Sequence, residues 1–254
     1  MAATFTGTDD LQKAEFRDAD LSGARFVGAD LSGVVMRGVD VTGAEIDAPW
    51  LLEGGVDGAL IVNGVNVAPL VEAELNRRFP GRAQRYAAGA DELRAAWTAL
   101  QTAWAAAVER AAAMPPGTVD VSVDGEWTFA QTLRHLVLAT DTWLGLSILE
   151  IEQPYHPLGM ADAGFGEEHD MSVFTTEEPS YADVLAARAN RVAMVGDFLA
   201  TVTPDVLAEP RKNPHQPDAH ETVVSSLHVI LEEEWEHLRF ATRDLDAITQ
   251  KADA

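Results

Sequence analysis

The chain has no cysteine. Disulfides and thiolate-bound metal are therefore excluded, and any metal must be held by nitrogen and oxygen. Basic residues are scarce: 18 Lys and Arg stand against 41 Asp and Glu, a formal charge of −23. Direct binding to nucleic acid or to an anionic membrane needs basic patches that this composition does not supply. No apolar run approaches the roughly 20 residues of a membrane span. The start MAATFTGTDD has neither a basic segment nor an apolar core, so no signal peptide is expected and a cytoplasmic location is. No Gly-rich phosphate loop and no Ser-His-Asp order stands out. What is present is an acidic chain of 254 residues, 47% apolar, with enough material for a large core.

The most informative stretch runs from Val223 to Leu245, VVSSLHVILEEEWEHLRFATRDL. Positions four apart on a helix lie nearly above one another. Val223, Leu227, Ile230, Leu231, Leu238, Ala241 and Leu245 form a broad apolar stripe. Glu232, Glu236, Arg239 and Arg243 pair at three- and four-residue spacings, the pattern of a solvated face. Glu233 and His237 belong to neither group. A carboxylate and an imidazole on an apolar flank must be paired, protonated or metal-bound. A Glu–His pair inside a bundle is the plain reading. One turn apart, the two can also grip a single cation.

The first fifty residues are a repeat. Leu11, Phe16, Leu21, Phe26, Leu31, Met36, Val41, Ile46 and Leu51 recur every five residues, most with a small residue two places earlier. Period five suits neither a helix nor a flat strand; it suits a coil that turns a corner at each repeat. The A-D-L-S-G runs resemble the pentapeptide-repeat family, which implies a right-handed quadrilateral β-helix. Long members of that family are acidic mimics of DNA that bind topoisomerases. Four pentapeptides make a coil, so this repeat gives about two coils, on the order of 10 Å of rod at ~4.8 Å per layer. One turn of DNA is about 34 Å. An interaction or capping module for a protein partner fits that length better than a decoy.

Ala59 to Val67 places Asn63-Gly64 between β-branched residues, a hairpin signal expected to close the coil. Pro69 opens a short helix that ends before Pro80-Gly81. Four longer helices follow, from about 91 to 113, 128 to 151, 180 to 200, and from 223 onward. Thr128 with Gln131 forms a capping box, and Ser180 with Asp183 a similar signal. The segment from 152 to 179 is long enough to be functional. The expected class is α+β: a β-helix over 1–67, a connector helix over 68–88, and an up-down-type four-helix bundle with long crossover loops over 89–254.

His135 lies on or beside the buried stripe of the second helix. Residues from about Asp91 to Ile248 resemble the DinB-like superfamily of metal-dependent hydrolases and transferases. The runs TFAQTLRHLVLATDTWLG, YHPLG and LEEEWEHLRFATRDLD carry the likeness, the last resembling a branch found mostly in actinobacteria. That family is a four-helix bundle with three histidine ligands, one on the second helix and two spaced four apart on the fourth. His135 and His237 match two of them, and Glu233 stands at the third. The resemblance implies a His135, Glu233, His237 site for zinc, nickel or iron with an open position. It also implies a low-molecular-weight thiol, mycothiol or bacillithiol, moved onto or off a small-molecule substrate. Glu234 is expected on the bundle surface or else behind the ligands as an acid-base group, Asp141 behind the ligands, and His156 in the loop over the site. His228 reads as solvated, and His169, His215 and His220 as loop residues; Trp143 and Trp235 read as core packing. A homodimer is allowed. The alternative is a non-catalytic interaction protein whose bundle is an inert scaffold.

Overall fold

The computed structural model describes residues 3–49, 51, 59–161, 165, 170–216 and 218–252. His169 and the stretch 52–58 lie outside the described residues. The chain divides into two compact units, Met1–Asp47 and Ala48–Ala254.

In the first unit the sequence period appears as local turns. Asp10, Asp20, Asp30 and Asp40 each accept a hydrogen bond from the backbone N–H two residues on. Three-residue turns follow: Ala14, Ala24, Val34 and Ala44 donate to the carbonyls of Leu11, Leu21, Leu31 and Val41. Gly23, Gly33 and Gly43 occupy the left-handed position these turns require. The structural repeat is thus ten residues, two pentapeptides with different turns. The expected β-helix is not seen: no strand occurs among the described residues of this unit, and its large apolar side chains are exposed. A coil gains its interior only from layers above and below, and two layers share a single interface.

The second unit opens with a small hairpin, β1 (Ile61–Val62) and β2 (Val65–Asn66), turning at Asn63-Gly64. Helix α1 (Ala68–Arg78) starts on a proline, and a 3₁₀ segment follows at Arg82–Tyr86. Helices α2 (Ala90–Ala113), α3 (Phe129–Thr140), α4 (Tyr181–Thr201) and α6 (Val223–Ala252) make the bundle, with the short α5 (Pro204–Leu207) between the last two. Its principal contacts are α3 on α4, α4 on α2, α2 on α6 and α6 on α3. The consecutive helices α2 and α3 therefore lie diagonally, a departure from the up-down order in which chain neighbours are side by side. The long connection between them makes the diagonal reachable. Trp235, Leu133, Leu136, Leu100 and Leu144 are among the most fully buried residues of the core, each contributing roughly 1.5–3 kcal/mol of apolar burial.

Thr128 caps α3 reciprocally with Gln131, and Ser180 caps α4 by accepting from Asp183 N. The second helix does not run on as an α-helix to 151. It widens into a π-helical segment at Asp141–Ile148. Two contacts from outside the helix meet it there. Asp141 is fully buried and ion-paired with Arg191 of α4 at 2.7 Å. A Cβ on Gly145 would stand 2.7 Å from the Pro154 side chain, so only glycine lets the returning loop approach. The polar stretch before α6 is also more ordered than its composition suggests: β3 (Pro210–Lys212) pairs with β4 (His220–Thr222). No helix among the described residues is long and apolar enough to cross a membrane.

Candidate metal centre

Helices α3 and α6 are neighbours in the bundle, and each brings chemistry to their seam. His135 sits in the second turn of α3 and Glu233 and His237 one turn apart on α6. One donor atom from each lies within 4.8 Å of the others, and all three side chains are half-buried. His135 Nε2 is 3.3 Å from Glu233 Oε2. His135 Nδ1 lies 3.3 Å from the Met160 carbonyl, and His237 Nδ1 lies 2.7 Å from the Glu233 carbonyl. A carbonyl only accepts, so each Nδ1 carries a proton where these bonds are made, and His135 Nε2 is the nitrogen left facing Glu233; His237 Nδ1 also lies 3.4 Å from Glu233 Oε2.

Burial pushes the Glu233 carboxyl up, but the hydrogen bond with His135 and the charges of both imidazoles outweigh it, so its pKa falls below the ordinary glutamate value. Burial pushes the His237 imidazole down, against the pull of Glu233. At neutral pH the cluster is thus an anionic carboxylate beside a neutral imidazole of His237, the protonation states that bind a cation. Two ligands about 2.1 Å from a shared tetrahedral ion stand roughly 3.4 Å apart, close to the 3.3 Å between His135 Nε2 and Glu233 Oε2. The donor set of nitrogen and oxygen with one place left open fits zinc, nickel or iron.

The three consecutive glutamates of α6 have three different fates, as 100° steps require. Glu232 and Glu236 do not face solvent freely. The 3₁₀ segment lies against them: Arg82 is 3.0 Å from Glu236 and Arg85 is 3.8 Å from Glu232, and Tyr86 donates to Glu232. Both arginines are buried and both also reach Glu72 of α1. Glu234 points into the core, where both of its oxygens lie 2.5 Å from Arg188 Nη2 of α4. It is occupied structurally, away from the three donors. Asp141 accepts from Arg191 and from the His156 backbone N–H at 2.8 Å, so it anchors the loop at 154–160. Burial pushes its carboxyl up against the pull of Arg191. His156 itself uses Nδ1 to accept from Leu158 N. The part of this loop that reaches the centre is Met160, held by Arg134, which donates to Leu158 O and accepts from Met160 N.

His228 accepts no role here: its Nε2 meets the Ala87 carbonyl at 2.9 Å, and its ring packs edge-on against Tyr86. His215 packs near Trp143. An open groove of about 790 Å³ runs past His156, Glu178, Asp183 and Arg191, but none of the three donors lines it. Sequence reasoning passed over two neighbours of the centre, the Met160 carbonyl and Trp127, whose indole lies tilted against His135 and nearly parallel to His237. The signal for Trp127 was its place just before the N-cap Thr128, where a side chain folds back over the first turns of the helix.

A family model described as the DinB superfamily matches residues 99–241. A pentapeptide-repeat model matches eight copies over residues 10–47. No curated protein and no solved structure matches the chain.

Proposed function

The chain belongs to the DinB superfamily, and on that premise we propose that residues 89–254 form a metal-dependent enzyme acting on a small molecule. The observation that carries this reading is the meeting of His135, Glu233 and His237 donor atoms within 4.8 Å, from two helices. His135 and His237 would supply nitrogen ligands and Glu233 an oxygen ligand that also offsets the ion's charge. When bound, a zinc, nickel or iron ion supplies Lewis acidity at the open position. The chain's own residues do the rest. Met160 O and Glu233 O hold the imidazole tautomers, and Arg134 fixes the loop beside His135. Within that class we favour transfer of a low-molecular-weight thiol, mycothiol or bacillithiol, onto or off the substrate, with hydrolysis as the alternative. The setting is a cytoplasmic protein, monomeric or dimeric.

The test is metal content. Protein purified without an affinity tag and reconstituted with zinc or nickel is expected to hold about one equivalent, and His237→Ala to lose it. Less than about a tenth of an equivalent, unchanged in His237→Ala, removes the proposal.

A second reading is favoured by a separate observation. Leu11, Phe16, Leu21, Phe26, Leu31 and Met36 are all exposed at five-residue intervals. We read residues 1–67 as a docking module for a protein partner, with 68–88 as its connector. Capture of a partner that survives His135→Ala and is lost on deleting residues 1–47 supports a scaffold; loss in both variants does not.

A further inference from the structure

Trp127 shares the metal-centre seam without being a ligand. Its ring centroid lies 4.6 Å from that of His135 at 40°, and 6.1 Å from that of His237 at 18°. The two imidazoles are 4.7 Å apart and nearly parallel at 28°. One indole therefore faces rings that come from two different helices. Phe240 meets His237 edge-on at 5.8 Å, adding a further wall beside that ring. The capping box of Thr128 and Gln131 fixes the backbone that carries Trp127. An apolar residue before an N-cap usually packs on an apolar residue in the fourth helical position. Here that position is Thr132, whose hydroxyl donates to Thr128 O. The indole's partners are the imidazoles instead.

A hydrogen bond at Nδ1 sets a histidine's tautomer and restrains its ring, but at 3.3 Å the His135 bond is long and leaves some freedom to swing about the Cβ–Cγ bond. A flat aromatic face across the ring removes that freedom. We propose that Trp127 is the positioning residue of the ion site: it holds the imidazoles of His135 and His237 in one orientation and shields their faces from water. The proposal rests on the metal reading above, and its test separates the two.

Zinc affinity is measured by competition with a chelating dye for the wild type, Trp127→Phe and Trp127→Leu, with helicity checked by circular dichroism. Leucine fills space without a π face and is expected to weaken binding roughly tenfold, the scale of losing a group that orients a ligand. Phenylalanine keeps a face and is expected to stay within about threefold of wild type. Equal affinity in all three proteins overturns this proposal and leaves the metal reading standing; no binding by the wild type overturns both. A readout that does not depend on the leucine variant folding is nickel quenching of tryptophan emission. Wild type is expected to be quenched and Trp127→Phe to lose most of that quenching while still binding. Undiminished quenching in Trp127→Phe places the indole away from the ion and overturns the proposal.

Discussion

The repeat and the bundle both announce themselves by periodicity, yet only one of them turns its period into a core. In residues 3–49 the spacing appears as local turns: the bonds from Ala14, Ala24, Val34 and Ala44 each reach back three residues, and Phe26 is 62% exposed. In the bundle the same kind of apolar regularity is closed by partners far away in the chain. Arg188 reaches Glu234, Asp141 reaches Arg191, and His135 reaches Glu233, 98 residues on. A period tells which side chains share a face. It does not supply the surface that face must meet.

The sharpest way to test that contrast is to break the deepest long-range contact. Glu234 is 1% exposed and its partner Arg188 is 6% exposed, with Arg188 Nη1 lacking a hydrogen-bond partner among the described residues. Glu234→Leu leaves a guanidinium buried and uncompensated, and is expected to cost about 3–5 kcal/mol. Urea unfolding followed by helicity measures it. The double variant Glu234→Leu with Arg188→Met is expected to recover most of the loss, because two apolar side chains of similar volume can replace a buried pair. Failure of that recovery would show that the pair fixes the rotation of α6 and not only its stability.

Next in size is Asp141→Asn. The carboxylate takes one bond from Arg191 and one from the His156 backbone. An amide accepts at only one of its two ends, so one donor is left without its acceptor, and a loss of about 2 kcal/mol is expected. Faster hydrogen exchange of the His156 amide than in wild type would trace the loss to the loop rather than to the helix. Smaller again is Thr128→Ala, which removes half of the capping box at the start of α3 for about 1 kcal/mol. It also tests whether the entry to the helix that bears His135 is set locally, since no distant contact changes.

Much of the bundle was legible in the sequence because its signals are local. Thr128, Ser180 and Pro69 mark helix starts by groups within three residues of one another, and the stripe from Val223 to Leu245 gives the buried face of α6. The three donors were legible for a related reason: Glu233 and His237 are one turn apart, and His135 lies at the edge of an apolar face. What could not be read was decided at a distance. The π segment sets Asp141 against Arg191, 50 residues on, and Gly145 against Pro154 of the returning loop. The apparently solvated glutamates at 232 and 236 are covered by arginines some 150 residues earlier, and helical spacing alone cannot reveal a cover from outside the helix. The diagonal placement of α2 and α3 depends on how far a loop reaches, which composition does not encode.

The smallest effect bears most directly on the contrast between the two regions. Phe26→Ala removes a large aromatic side chain, a change that costs about 3–5 kcal/mol in a packed core. At 62% exposure the ring has little to lose, so the expected change in unfolding free energy is below about 0.5 kcal/mol. Phe16→Ala, at 58% exposure, should behave the same way. The measurement has to follow the whole chain, with helicity reporting the bundle and limited proteolysis reporting residues 3–49. A loss of several kcal/mol, or sudden cleavage within the repeat, would mean that these rings are buried in solution. The two regions would then differ in what covers their apolar faces, no longer in whether anything does.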